Sequence, residues 1–499
     1  MTRRQTGQLM DSYFYFSMAR SLQDGEGPRV QWPQGPHTKF FPGYPILLAL
    51  ASTVSGLPPD LAYVWLNAAL LLIVTLLLLA LASSLVRLSP SARPMHLLWP
   101  SLVLANVVFI RWFVMPMAET AALACVLAQA LFVRSLRRRL LGRRLKAASR
   151  LLAFLSLGIL GGFGAITRAE VVFFLPILIL VLRGPLNKNS APPARTASWA
   201  LLGLGYFIPF AGWLLWQRFA LDQTGIYYIA EGRQNFAWST VVSQFVYLLN
   251  LAVRIPNILS SNPLVNLFHI LLQCLLVAAL VLSLAGAWGR CWRHAALCLI
   301  LYWIAHGFWY YESERFNLLV IPIVVALLWR GLFLLTAAHR KKQSPTPRAK
   351  VLLTLLLIPA LAVQLSFGML AIQNQFDAIA RQATPRAELL ELRESLIRSA
   401  TGREFPTILT DGGIELGWHL RGRVLFDWAH TLDFPRLYPD GEILNLIEKE
   451  NVEFLVSRHA LQDWIASRQV SPSDIQRLAA RLESGQTQTT WNVWRVRPQ

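Results

Sequence analysis

The chain has 499 residues, 55% of them hydrophobic and 15% charged, with a net charge of +20 and a mean hydropathy of +0.43. That composition excludes an ordinary soluble domain and points to a polytopic membrane protein. Of the 47 Lys/Arg and 27 Asp/Glu, 15 and 17 fall in residues 371–499, which leaves 32 against 10 in residues 1–370; the basic excess therefore belongs to the apolar part, where the positive-inside rule explains it without a nucleic-acid partner.

In chain order, residues 1–10 are mostly polar and no apolar signal-peptide core follows them. The stretch Tyr44–Ser55, after Phe40-Phe41-Pro42-Gly43, is too short to cross a bilayer and predicts an interfacial helix, and residues 239–259 read similarly. Ten spans are expected, at about 60–86, 97–114, 119–136, 151–167, 169–183, 199–217, 264–288, 295–311, 316–335 and 351–371. Reading 151–183 as one span would move Arg290, Arg293 and the Arg340–Lys350 cluster outside. The charge rule instead makes Thr167-Arg168-Ala169-Glu170 a tight outer turn. Both chain ends then lie outside, and the eight basic residues from Arg134 to Arg150 lie inside.

From about residue 372 the composition becomes that of a soluble domain. Strand character at 407–411, 424–427, 453–457 and 490–496 alternates with helical patterns at 386–400, 441–450, 459–467 and 473–483. The expected fold class is thus a mostly α, polytopic membrane bundle over residues 1–371, followed by a small extracytoplasmic α/β domain over 372–499. Asp411-Gly412-Gly413 lacks the glycine spacing and lysine of a phosphate loop and reads as a turn. The four cysteines form no CxxC pair, and no zinc site is signalled. The absence of Asn-x-Ser/Thr sequons leans towards a bacterial envelope protein, in the inner membrane.

On this span count all ten carboxylates of residues 1–370 fall on the outer side, namely Asp11, Asp24, Glu26, Asp60, Glu119, Glu170, Asp222, Glu231, Glu312 and Glu314. Carboxylates do little to set topology and are costly in hydrocarbon, so a one-sided set predicts an outer-face active site. Tryptophans such as Trp112, Trp213, Trp216 and Trp309 read as an interfacial belt, and His306, among aromatics, as a packing histidine.

The segment from Asp11 through Tyr15 to Ala19-Arg20-Ser21-Leu22, then Gly25-x-Gly27, then Phe41-Pro42-Gly43-Tyr44-Pro45, resembles the first outer loop of the GT-C glycosyltransferases. The likeness is to the branch of protein O-mannosyltransferases and bacterial lipid-modifying sugar transferases. Met117-Ala118-Glu119 opening a span, Thr167-Arg168 at an outer turn and Glu314-Arg315-Phe316 ahead of Pro322 agree in order and side. The resemblance covers most of residues 11–335. The family places a span before the acidic loop where this sequence has Met1–Met10, so the expectation is either a start further upstream or a protein of ten spans.

The resemblance implies a polyprenyl-phosphate sugar as donor and a hydroxyl on a lipid, glycan or protein as acceptor. It makes Asp11 the general base, alone or metal-assisted, and Glu119 a second catalytic carboxylate that orients the acceptor or a neighbouring cation. Arg168 and Arg315, with Lys39 as a third, are expected to hold the donor phosphate, because fixed guanidinium groups best stabilise the charge that grows on a leaving phosphate. Tyr15, Tyr44, Glu170 and Glu314 complete the expected substrate-binding set. No organic cofactor is implied; a divalent cation, where one is used, is expected at Asp11 and Glu119. Two other readings stay open at this point: a flippase or transporter of a lipid-linked glycan, and an O-antigen ligase or polymerase.

Overall fold

The computed structural model describes residues 2–29, 40–86, 93–142, 146–189, 191–221, 276–285, 292–307, 314–338, 386–400, 406–410, 423–426, 451–457, 480–484 and 491–497, with isolated positions between them. The expected span at 351–371, the stretch at 239–259, Lys39, Asp411-Gly412-Gly413 and the helices at 441–450 and 459–467 lie outside these residues. Two compact units divide the chain. One comprises Phe41–Leu47 and Leu61–Ala378; the other comprises Met1–Phe40, Leu48–Asp60 and Ile379–Gln499.

The first unit is helical. Among the described residues, five helical segments are long and apolar enough to cross a membrane: Pro59–Ser83, Ala118–Leu141, Ala147–Thr167, Ala169–Asn187 and Pro192–Ala220. Shorter apolar helices lie at Gly43–Ser55, Leu276–Ala285, Arg293–Ile304 and Ile321–Gly331. The helices that position the site are α3 (Pro59–Val86), α5 (Val107–Phe113), α6 (Ala118–Leu141), α7 (Ala147–Thr167), α9 (Pro192–Leu221) and α11 (Arg293–Gly307). Between α7 and α9 lie a 3₁₀ turn, Ala169–Phe174, and α8, Leu175–Asn189; a second 3₁₀ turn, Glu314–Asn317, precedes α12, Ile321–Ala338.

Where the sequence predicts one span over 97–114, the structure has two helices, Arg93–Leu104 and α5. Asn106 is the cause: its side chain accepts from the backbone N–H groups of Val108 and Phe109, so it starts a new helix instead of continuing the old one. The spans expected at 169–183 and 316–335 both begin with 3₁₀ turns, and these turns carry the site arginines or their partners.

Helices α7 and α9 pack backbone to backbone. A Cβ on Gly205 would lie 2.6 Å from the Leu155 carbonyl oxygen and 2.7 Å from the Ile159 nitrogen, and a Cβ on Gly158 2.9 Å from Gly205 Cα. In lipid, where apolar burial drives little helix association, such close approach by small residues is a main source of packing energy. The Tyr206 hydroxyl of α9 donates to Gln129 Oε1 of α6 at 2.8 Å, which adds a buried polar tie to this core.

In the second unit, the helix Thr2–Gln23 is followed by Phe40, whose ring meets Phe14 at 5.5 Å and Tyr15 at 5.1 Å between centroids. The C-terminal part carries helix Arg386–Ser399 and a five-stranded sheet of order β2-β1-β3-β5-β4. Its strands are β1 Thr407–Thr410, β2 Arg423–Phe426, β3 Phe454–Ser457, β4 Leu482–Ser484 and β5 Asn492–Val496. Strand β1 pairs in parallel with β2 and β3, and β5 runs antiparallel to β3 and β4. Every residue of β1 and β3 is buried, as expected for central parallel strands covered on both faces. The helix expected over 473–483 is corrected at its end: Leu482–Ser484 forms β4, because ladder pairing with β5 overrides its weak helical pattern.

Candidate active site

Breaks in otherwise apolar helices bring the site together. After α5 the chain bends through Val114–Met117, and Met117 has extended backbone (φ −129°, ψ 146°) before α6 begins. Glu119 therefore sits in the first turn of α6, where the helix N-terminus favours a negative charge. Arg168 ends α7 with extended backbone (φ −149°, ψ 123°) and opens the 3₁₀ turn that carries Glu170. Arg315 lies in the second 3₁₀ turn, Glu314–Asn317.

Four residues expected from the sequence converge here. Arg168 Nη1 is 3.1 Å from Glu119 Oε1 and its Nη2 is 2.7 Å from Glu170 Oε1. Arg315 Nε is 3.4 Å from the same Glu119 oxygen, and its Nη1 meets Met117 Sδ at 3.9 Å. The Glu119 side chain is only 2% exposed, against 11% for Arg168, 12% for Arg315 and 17% for Glu170. Among the described residues, Oε2 of Glu119 is buried without a hydrogen-bond partner. Two carboxylates and two guanidinium groups thus balance one another in a water-poor setting. An arriving anion would be drawn to the arginines.

Aromatic and polar groups of α11 complete the wall. Tyr302 and His306 are buried with ring centroids 4.5 Å apart, and Tyr302 also packs on Phe174 at 5.9 Å. Glu170 interacts electrostatically with His306 as well as with Arg168 and Arg315, so this histidine belongs to the site's surroundings. Trp303 donates its indole N–H to Asn317 Oδ1 at 3.2 Å, which fixes the turn that presents Arg315. A lone His or Asn beside aromatics gave the sequence reading no sign of this arrangement beyond proximity to an expected outer helix end.

The remaining expected residues are placed as follows. Tyr44 is fully buried, with its hydroxyl 3.4 Å from Asn67 Oδ1. Tyr15 is buried in the second unit beside Phe40. Asp11 lies on the N-terminal helix and Glu314 opens its 3₁₀ turn, but both side chains lie outside the described residues. Among the described residues, no group of three or more His, Cys, Asp and Glu is arranged to hold a metal ion.

No family model and no curated protein matches this sequence. Solved structures do match. The chain superposes on ArnT from Cupriavidus metallidurans bound to undecaprenyl phosphate with a TM-score of 0.57 at 12% identity, covering 98% of this chain and 95% of that one. The apo form of that ArnT gives 0.56 at 12% identity, over 98% and 94%. An oligosaccharyltransferase from Archaeoglobus fulgidus, tethered with an acceptor peptide containing the NVT sequon, gives 0.51 at 13% identity, over 90% of this chain and 64% of that one. Identity this low establishes architecture alone: the chain shares the fold of these ArnT and oligosaccharyltransferase structures, a multi-pass helical membrane protein here with a small C-terminal sheet.

Proposed function

We propose that this protein is a membrane glycosyltransferase that moves a sugar from a polyprenyl-phosphate donor to an acceptor hydroxyl at the outer face of the membrane. The observation that carries the reading is the convergence of Arg168 and Arg315, 147 positions apart in sequence, on the buried Glu119 carboxylate. Glu119 and Glu170 hold the guanidinium groups charged in a low-dielectric setting, where they act strongly on an incoming phosphate. The ArnT structure above contains undecaprenyl phosphate, and the archaeal transferase carries an acceptor peptide; both support a lipid-linked donor and a separate acceptor.

In the proposed reaction the acceptor oxygen attacks the anomeric carbon as the bond from that carbon to the phosphate oxygen breaks. The departing polyprenyl phosphate gains negative charge, which Arg168 and Arg315 stabilise. Asp11 takes the acceptor proton; this assignment rests on its place in the sequence motif. Glu119, facing two guanidinium groups, holds both arginines in place. The site would face the periplasm of a bacterial inner membrane, with the acceptor a lipid, glycan or protein.

Binding of undecaprenyl phosphate, the part every such donor shares, tests the reading. Each arginine supplies a charge-assisted contact worth about 1.5–3 kcal/mol, so Arg168→Ala and Arg315→Ala should each raise the Kd by at least roughly tenfold. Lysine at either position should restore binding only in part, since a point charge replaces a planar fork. Unchanged affinity in both folded alanine variants sinks the assignment.

A further inference from the structure

The stretch Phe41–Tyr44 touches α9, α7 and α3. The Phe41 ring meets Trp213 of α9, with centroids 4.8 Å apart. Gly43 lies against the end of α7: a Cβ there would be 2.7 Å from the Thr167 nitrogen and 2.8 Å from the Ile166 carbonyl oxygen, and would also overlap Thr167 Oγ1. These are mostly backbone atoms and cannot swing aside, so only glycine fits. Arg168 is the next residue, and its backbone N–H is committed to the Gly164 carbonyl at 2.8 Å.

On its other side, Tyr44 donates to Asn67 Oδ1 of α3 at 3.4 Å. Asn67 Nδ2 in turn donates to the Phe113 and Met115 carbonyl oxygens, at 3.0 and 2.9 Å. Those carbonyls sit where the helix breaks before α6, and Pro116 in that bend has no N–H to offer. The Met115 carbonyl also accepts the Met117 N–H at 2.8 Å, so the Asn67 amide matters most for the Phe113 carbonyl at the end of α5, and an unpaired carbonyl in hydrocarbon costs several kcal/mol. The bend leads directly through Met117 to Glu119.

We infer that Gly43 and the Tyr44–Asn67 pair are positioning residues. Gly43 seats the turn that presents Arg168, and Asn67, held by Tyr44, fixes the bend that presents Glu119. Together they set the separation of the ion pair. The inference deepens the proposed donor-phosphate site and rests on that reading for its consequence in binding, but not for its geometry.

Two arms test it separately. In an experimental structure in lipid, Gly43→Ala should open the Arg168–Glu119 contact from 3.1 Å to beyond about 4 Å, the limit of an ion pair. Asn67→Leu, which keeps the side-chain size and removes both donors, should open the Glu119–Arg315 contact likewise, and it stands in if Gly43→Ala fails to fold. Folded variants with both contacts unchanged overturn the proposal. In the binding arm, Gly43→Ala should weaken undecaprenyl phosphate by about tenfold or more in the native background, yet by less than about twofold when added to Arg168→Ala, because its effect passes through that arginine. Equal losses in both backgrounds would show a general structural role and overturn it as well. A native protein that binds no undecaprenyl phosphate refutes the functional reading, and the structural arm still decides the positioning.

Discussion

Glu119→Gln is the perturbation that most directly probes the site, because one carboxylate oxygen meets two guanidinium groups. At 3.1 and 3.4 Å, each contact is worth about 5 kcal/mol of Coulomb attraction at an effective dielectric constant of about 20. Much of that is offset by the cost of taking the three ions out of water and by repulsion between the two arginines. The net loss on removing one partner of a buried pair is typically about 3–5 kcal/mol. No large discount for solvent screening applies, since all three side chains are well under a third exposed. The glutamine keeps the shape and one acceptor, so the lower end of that range is expected. Glu170→Gln removes the 2.7 Å ion pair with Arg168 from a more exposed side chain and should cost less, about 1.5–3 kcal/mol. Reversible denaturant unfolding in mild detergent measures both. A Glu119 variant within about 0.5 kcal/mol of the native protein, or more stable than the Glu170 variant, would refute the assignment of Glu119 as the hub.

Asp11→Asn should leave the protein inserted and folded while lowering kcat by about a hundredfold, the usual scale for a lost general base; single-turnover transfer measures it, and undiminished transfer removes Asp11 from the mechanism. Tyr206→Phe should cost about 0.6–1.7 kcal/mol of stability through its bond to Gln129, as interhelical hydrogen bonds in membranes do, read by the same unfolding assay. Gly205→Ala should cost more, about 1–3 kcal/mol or above, because the added methyl group meets the backbone of α7. A cysteine replacing Leu141, an exposed residue at the end of α6, should react with an impermeant thiol reagent only from the inside; labelling on intact cells would overturn the topology.

The sequence placed Glu119, Arg168, Glu170 and Arg315 at the ends of apolar runs, and that is information about depth alone. Hydrocarbon is so hostile to charge that depth is legible one residue at a time. Which helix ends meet is a matter of rotation and packing, and no single run encodes it. The glycines of α7 and α9 hold part of that information, but a glycine in an apolar run has many uses, and only the partner backbone shows that Gly158 and Gly205 face each other. Asn67 is illegible in the sequence for a related reason. A neutral amide in a long apolar helix has no periodic signature, and its purpose appears only when it is found bonded to the carbonyls of Phe113 and Met115, 46 and 48 positions away. Asn106 acts in the opposite way: its capping bonds are local and turn one expected span into two helices. Strand β4 depends on a partner still more completely, because Leu482-Glu483-Ser484 has little strand preference of its own and is extended only beside β5. Long-range partnership is therefore what separates the charged residues that could be named in advance from the polar ones that hold them. It also makes the supporting residues the sharper test of the site: a charge can stay at the right depth in a collapsed site, but the Tyr44–Asn67–Met115 chain persists only where the bend before Glu119 is built as described.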